Sequence, residues 1–315
     1  DLYIAQLDKK RALSVLIPRA TVYGSLLERK HTDATLPNTL TLGGKLTQSF
    51  TLNGKEIIAL NISTSTIESK SFSLESVRAQ YLLSVANAYY GVLSAQRYFE
   101  IAHSDVERLT AYRDSVKEKL NVGNVTKTDL YRAEAELSKA LTEQVTSRHN
   151  ILKAKAALRN LVDIQAVFEL EKNPSRRIDT FECSLEEIQA MALRQRPEIK
   201  AAVKNLEIAK KTVSYNRSDW WPTLSIEAGY RESDIEYDLT PAGEVAYDTE
   251  DLYVSGELAF TLFDGGLRRA TVRQALARQR QAQHSLDLEK KQVVLDSQTA
   301  FYDYKSAVTS LDNLQ

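Results

Sequence analysis

Of the residues whose side chains most often do chemistry, this chain has few, and it scatters them. His31, His103, His149 and His284 stand apart from one another and from Cys183, the single cysteine, so no metal-ligand spacing forms and no metal is expected. A lone thiol makes no intrachain disulfide, and nothing beside Cys183 would activate it as a nucleophile. No phosphate-binding glycine loop, nucleophile elbow or metalloprotease signature occurs, so neither a cofactor nor an enzymatic activity is expected. The charged residues alternate with apolar ones instead. Lys45, Glu227, Arg231 and Glu257 lie in runs where every second residue is apolar, which places charge on one face of a strand and hydrocarbon on the other. Thr126 and Asp129 have the spacing of a capping pair at a helix start. Asp234, Glu236, Asp238, Glu244, Asp248, Glu250 and Asp251 crowd what reads as a loop, either a solvated one or one that takes divalent cations.

The elements that position these residues come in two copies. Shifting the sequence against itself by 212 positions lays Gly44 and Leu46 on Gly256 and Leu258, and Ala88-Tyr89-Tyr90 on Ala300-Phe301-Tyr302. Upstream the shift is 204, where Pro18 meets Pro222. Each copy reads helix, strand, loop, strand, helix. The expected first repeat covers residues 1–162: a helix, a β-hairpin at about 20–50, a long helix, a tip at 122–129 and a return helix. Residues 163–197 form a linker, and 198–315 a second repeat with its β-hairpin at about 223–263. Adding 212 to Asp129 puts the second tip near position 341, past residue 315.

In the first hairpin Leu40, Leu42, Gly44, Leu46, Gln48 and Phe50 alternate with polar or small residues over about ten positions, the length of a membrane-crossing strand. In the second, Leu224, Ile226, Ala228 and Tyr230 alternate with Ser225, Glu227, Gly229 and Arg231, and a fourth run alternates from Leu252 to Leu262. From Ser73 to Asn121 there is no proline and one glycine, which allows about 49 helical residues and about 73 Å at 1.5 Å each. Val85, Ala88, Val92, Ala95, Phe99, Ala102, Val106 and Leu109 step by three and four, as do Leu130, Ala133, Leu137 and Ala140 further on. Such thin stripes bury one edge of a helix against a neighbour and do not fill a globular core.

Composition narrows the class. With 41 Lys and Arg against 42 Asp and Glu, no global field points to nucleic acid. No apolar run approaches the ~18 residues of a membrane helix, whereas a β-barrel hides from hydropathy. Asp1-Leu2-Tyr3 lacks the basic start and apolar core of a signal peptide, so either the chain is not exported or a signal has been removed. Four strands cannot close a barrel, and an open sheet in lipid leaves two edges unpaired. Several chains must then share one barrel. Three copies would give twelve strands around water, lined by Lys45, Glu227, Arg231 and Glu257. Phe50, Trp220, Trp221, Phe260 and Phe263 gather at the helix-to-strand junctions, as an interfacial aromatic girdle or as ordinary packing beneath a sheet.

Three motifs carry a resemblance. Val122-Gly123-Asn124-Val125-Thr126-Lys127-Thr128-Asp129, followed by an alanine-rich helix, resembles the periplasmic-tip motif of the TolC family of outer-membrane efflux proteins. Ala192 to Ile199 resembles that family's segment between repeats, and Phe260 to Gly266 the end of its fourth strand. The resemblance covers essentially the whole chain. It implies a mainly α fold with transmembrane β: long coiled-coil hairpins forming an α-barrel, plus four strands per protomer in a 12-stranded trimeric β-barrel. It implies a passive exit duct, homotrimeric in the outer membrane with its helices in the periplasm, docked to a periplasmic adaptor and an inner-membrane pump. Asp129 would then belong to the periplasmic gate, and Val122, Gly123 and Val125 to the adaptor-docking tip. The rival reading is a soluble periplasmic coiled-coil adaptor or scaffold, which leaves the two alternating hairpins unexplained.

Overall fold

The computed structural model describes residues 1–28, 38–164, 166, 168–170, 183–238 and 244–313. The elements run α1 (Leu2–Ser14), β1 (Arg19–Leu27), β2 (Asn38–Thr51), α2 (Lys55–Asn121), α3 (Lys127–Val162), α4 (Leu185–Gln195) and α5 (Pro197–Arg217). A 3-10 turn at Ser218–Trp220 leads into β3 (Thr223–Asp238), β4 (Glu244–Ala259) and α6 (Leu267–Asp312). Helix, strand, strand, helix is thus the order both around β1–β2 and around β3–β4. No described helix is long and apolar enough to cross a membrane.

Two compact units emerge, Asp1–Ser76 with Cys183–Gln315, and Val77–Glu182. The first holds one antiparallel sheet in the order β1-β2-β3-β4, so β1 and β4 are its edges. Its helices meet along narrow stripes: Ile199, Ala201, Leu206 and Val213 of α5 are buried, as are Ala275, Leu286 and Val293 of α6. The second unit is a helical hairpin whose buried apolar residues are Val92, Ala102, Val116, Ala133 and Leu158, with Ser147 buried as well; Val92, Ala102 and Ala133 lie on the seams read from the sequence. Most are small, as close approach of two long helices requires.

Helix α2 starts at Lys55, well before the Ser73 expected from its apolar seam. The missed segment is rich in Ser and Thr, which are poor helix signals because their hydroxyls compete for backbone groups. Here that competition is resolved inside the helix: Ser63 and Thr64 donate to the Leu60 carbonyl, and Thr66 to that of Ile62. Ser65 and Ser69 are buried and donate across to α5, to Glu207 Oε1 at 3.2 Å and Asn205 Oδ1 at 2.7 Å. The α2–α5 contact is therefore a polar seam. Lys204 Nζ bridges Glu68 at 2.7 Å and Glu207 at 2.9 Å, and Lys211 Nζ meets Glu207 at 2.7 Å.

Lys211, then Lys204, holds the Glu207 carboxyl down at about 2, from an ordinary 4.5. A carboxylate whose folded value is depressed stabilises the fold above its unfolded value and loses that contribution as pH falls. The window for Glu207 thus runs from about pH 4.5 down to about 2. Its side chain is 37% exposed, so water screens the pair and the effect is modest. Glu207→Gln is expected to lower the unfolding temperature slightly at pH 7 and to leave that of the variant and the natural protein converged near pH 2, as read by circular dichroism in detergent.

Candidate functional site

The register assigns every strand residue to a face, because directly paired residues point to the same side. Lys45 pairs with Gly229, Glu227 with Thr47 and Ser255, Arg231 with Gly43 and Asp251, and Glu257 with Ser225. All four charges expected on one face therefore share it. The structure joins two of them: Lys45 Nζ reaches Glu227 Oε2 at 2.9 Å, and the Thr47 hydroxyl donates to the same oxygen at 3.3 Å. Arg231 instead pairs with Asp251 at 2.7 Å. Across the described strands this face carries Arg19, Lys45 and Arg231 against Glu227, Asp251 and Glu257, so its formal charges cancel.

Two tyrosines lie flat on this face over glycines. A Cβ at Gly229 would sit 2.8 Å from the Tyr253 ring, and one at Gly43 equally close to Tyr23 and 2.9 Å from the Tyr230 carbonyl oxygen. The Tyr253 hydroxyl donates to Glu227 Oε1 at 2.8 Å. Glu227 thus accepts from Lys45, Thr47 and Tyr253, which fixes a carboxylate at mid-sheet. The opposite face is apolar and bare: Val22 is 90% exposed, Leu252 83% and Val254 77%.

Below the sheet the chain turns into α6 around Asp264. Gly265 and Gly266 have φ of 67° and 89°, a left-handed path open to glycine. The Asp264 carboxylate accepts from the amides of Gly266 and Arg268 at 3.0 and 2.9 Å, capping the helix, and from Arg268 Nε at 2.8 Å. The Arg268 amide, and then its guanidinium, hold the Asp264 carboxyl below its ordinary value. Arg268 is buried, donates to the Thr261 carbonyl at 2.6 Å and lies over Trp220 and Phe260 at 4.5 and 5.9 Å from the ring centroids. Lys55 pairs with Asp219 beside it. Among the expected girdle residues, then, Trp220 and Phe260 flank one guanidinium, Trp221 and Phe263 are exposed, and Phe50 is half-buried.

At the hairpin between α2 and α3, Gly123 has φ 78°, the left-handed stop its position suggests. Thr126 caps α3: its hydroxyl accepts from the Asp129 amide, while its own amide and hydroxyl donate to Asp129 Oδ2 at 2.9 and 2.7 Å. The Thr126 hydroxyl, and then its amide, keep the Asp129 carboxyl below its ordinary value. The carboxylate therefore stays charged in neutral and mildly acidic surroundings. Val122 and Gly123 are exposed, and Val125 is half-buried.

A model of the outer membrane efflux protein family matches residues 19–162 and 189–315. The chain belongs to this family. It is 22% identical over 259 residues to the outer membrane protein TolC of Salmonella enteritidis, covering 78% of this chain and 52% of that protein. It is 25% identical over 231 residues to the alkaline protease secretion protein AprF of Pseudomonas aeruginosa, covering 72% of this chain and 47% of that one. The chain spans about half the length of the curated relatives it matches. Against the solved outer-membrane channel OprN it gives a TM-score of 0.81 at 19% identity, over 99% of this chain and 71% of that one. The fold is thus that of an outer-membrane efflux protein, mainly helical with four strands per chain.

Within this efflux-protein fold two expectations change. The acidic residues do not form a loop: Asp234, Glu236 and Asp238 belong to β3, and Glu244, Asp248, Glu250 and Asp251 to β4. Strands extend this far because Glu232, Asp234 and Glu236 point outward into water, where charge on a strand is tolerated. The fourth strand ends at Ala259, so Phe260 to Gly266 is the strand-to-helix turn. Sequence reasoning missed Tyr23, Tyr253 and Arg268, and placed Asp251 with the acidic loop where the register turns it to Arg231. The tyrosines had a signal, an aromatic on one strand of each hairpin and a glycine on the other, but only the register sets Tyr23 directly opposite Gly43 and Tyr253 directly opposite Gly229. Residue 31 lies outside the described residues.

The glycine contacts predict a contrast. Gly43→Ala forces a methyl against both a ring and a fixed carbonyl, an overpacking that costs about 1–3 kcal/mol. Gly256→Ala meets nothing within 4 Å and is expected to leave stability unchanged. Heat-modifiability of the two variants on semi-native gels separates these outcomes.

Proposed function

We propose that this chain is one protomer of a homotrimeric exit duct in the outer membrane of a Gram-negative cell, conducting solutes passively from the periplasm to the exterior. The observation that carries the proposal is the open sheet. Its bare apolar face suits lipid and its opposite face suits water, while β1 and β4 end in unpaired backbone that hydrocarbon does not tolerate. Pairing β1 of one copy with β4 of the next removes every edge. Three copies give twelve strands and a water-filled lumen whose wall is the polar face carrying Lys45, Glu227, Arg231 and Glu257. TolC, AprF and OprN are named as outer-membrane, secretion and channel proteins, and the family match supports the same role here. A soluble adaptor or scaffold would have no use for a sheet with a lipid-facing side.

In this reading residues 1–162 and 198–315 are two repeats of one plan joined by 163–197. A periplasmic adaptor docks at the tip through Val122, Gly123 and Val125, and an inner-membrane pump supplies energy. Phe50, Trp220, Trp221, Phe260 and Phe263 form the belt at the inner edge of the barrel. Asp129 has two tasks: it caps α3, and its charged carboxylate contributes to the ring that narrows the periplasmic mouth.

Light scattering of the full-length protein extracted from outer membranes tests the assembly. A trimer is expected, and a soluble monomer would replace the duct with the scaffold. In planar bilayers Asp129→Ala is expected to raise single-channel conductance by a factor of a few, whereas unchanged conductance would leave Asp129 only its capping role. Lys45→Ala leaves Glu227 uncompensated three times around the lumen, and the reversal potential in a salt gradient is expected to shift toward cation preference.

A further inference from the structure

The two faces of the β3–β4 hairpin exchange character along its length. From Leu224 to Tyr230, and from Leu252 to Leu258, the outward face is apolar and the other polar. Beyond that, the outward residues are Glu232, Asp234 and Glu236 on β3, with Asp248 and Glu250 opposite on β4, all exposed. The inward residues become Ile235 and Tyr237 on β3, paired with Tyr247 and Val245 on β4. Leu27 of β1 joins the same row, opposite Thr39, itself opposite Ile235. The Tyr237 and Tyr247 rings stack, with centroids 6.0 Å apart and planes 20° apart. Tyr247 and Val245 nonetheless remain 45% and 47% exposed.

An apolar patch on this end of the sheet cannot be covered by lipid. Its reverse side carries at least five carboxylates, so this part of the hairpin stands in water above the hydrocarbon. The patch faces the axis around which copies of the chain gather, so what lies opposite it is the same patch on the other two protomers. We propose that Ile235, Tyr237, Val245 and Tyr247 of three copies meet as an apolar collar that narrows the outer mouth of the duct. The inference rests on the trimeric reading given above. A twelve-stranded barrel has a backbone radius of about 12 Å, and inward tyrosines span roughly half of it. The β3–β4 hairpin continues past the last described β1–β2 pair, and an inward lean there would bring the rings of three copies together. Such a constriction resists water and ions when nothing passes, yet yields to solute driven from below. The duct then has a dry outer ring in addition to the charged inner one.

The test uses full-length protein in its membrane, with Cys183→Ser as background. Val245→Cys points to the axis and keeps both tyrosines, while its neighbour Ala246→Cys points away. With a short bifunctional thiol reagent, Val245→Cys is expected to give a covalent dimer on denaturing gels and Ala246→Cys none. A trimer in which Val245→Cys fails to cross-link, or in which Ala246→Cys does so equally well, overturns the collar while leaving the duct intact. A monomer by light scattering overturns both.

Discussion

A peptide group placed in hydrocarbon has no water to bond, and most features of this chain can be traced to that fact. The sheet satisfies its interior strands by antiparallel pairing, from Arg19 with Thr47 through to Glu244 with Asp238. It leaves the outer sides of β1 and β4 open. A soluble protein would cover such edges with a helix or blunt them with charge. Here the edge residues of β1 include Val22 and Leu26, exposed at 90% and 72%, which suits neither remedy. In the proposed trimer, closure by other copies satisfies the edges and the apolar face together and makes the polar face the wall of a lumen.

The same constraint explains how the sheet is joined to its helices. At the end of β4 the chain leaves the strand ladder, and the freed carbonyls of Thr261 and Leu262 need donors. Arg268, the second residue of α6, supplies them, while Asp264 caps that helix and neutralises the guanidinium. Trp220 and Phe260 cover it. A buried charge is costly unless paired and hydrogen-bonded, and this one is both. The helices beyond the junction are held differently, by narrow stripes of Ala, Val and Leu and by the Ser65, Ser69, Lys204 and Glu207 seam. Neither demands a thick core.

Much of this was legible in the sequence because period-two and period-three-and-four patterns are strong signals when strands and helices are long. The existence of all four strands, both helix seams, the Gly123 stop and the Thr126–Asp129 cap follow from residue types and spacing alone. What escaped was decided by partners remote in sequence. The first turns of α2 lay outside the expected helix, because their serines carry no apolar seam and instead satisfy α5, about 140 positions on. The acidic stretch looked like a loop because charge depresses strand propensity, yet pairing of Asp234 with Asp248 is permissible where that face meets water. Asp251 was grouped with those acids, since only the register turns it inward to Arg231.

The two glycine–tyrosine contacts differ in what they permit over generations. At Gly229 the three nearest atoms all belong to the Tyr253 phenol, so the tightest obstruction is relieved once the tyrosine has been exchanged for something smaller. The two positions can drift as a couple, each change opening room for the other. At Gly43 the Tyr230 carbonyl oxygen blocks the space as well, and no substitution moves a backbone atom of a paired strand. That glycine is confined to itself whatever happens to Tyr23. Two positions that read identically along the strands, a glycine beneath a tyrosine, therefore have unequal histories open to them.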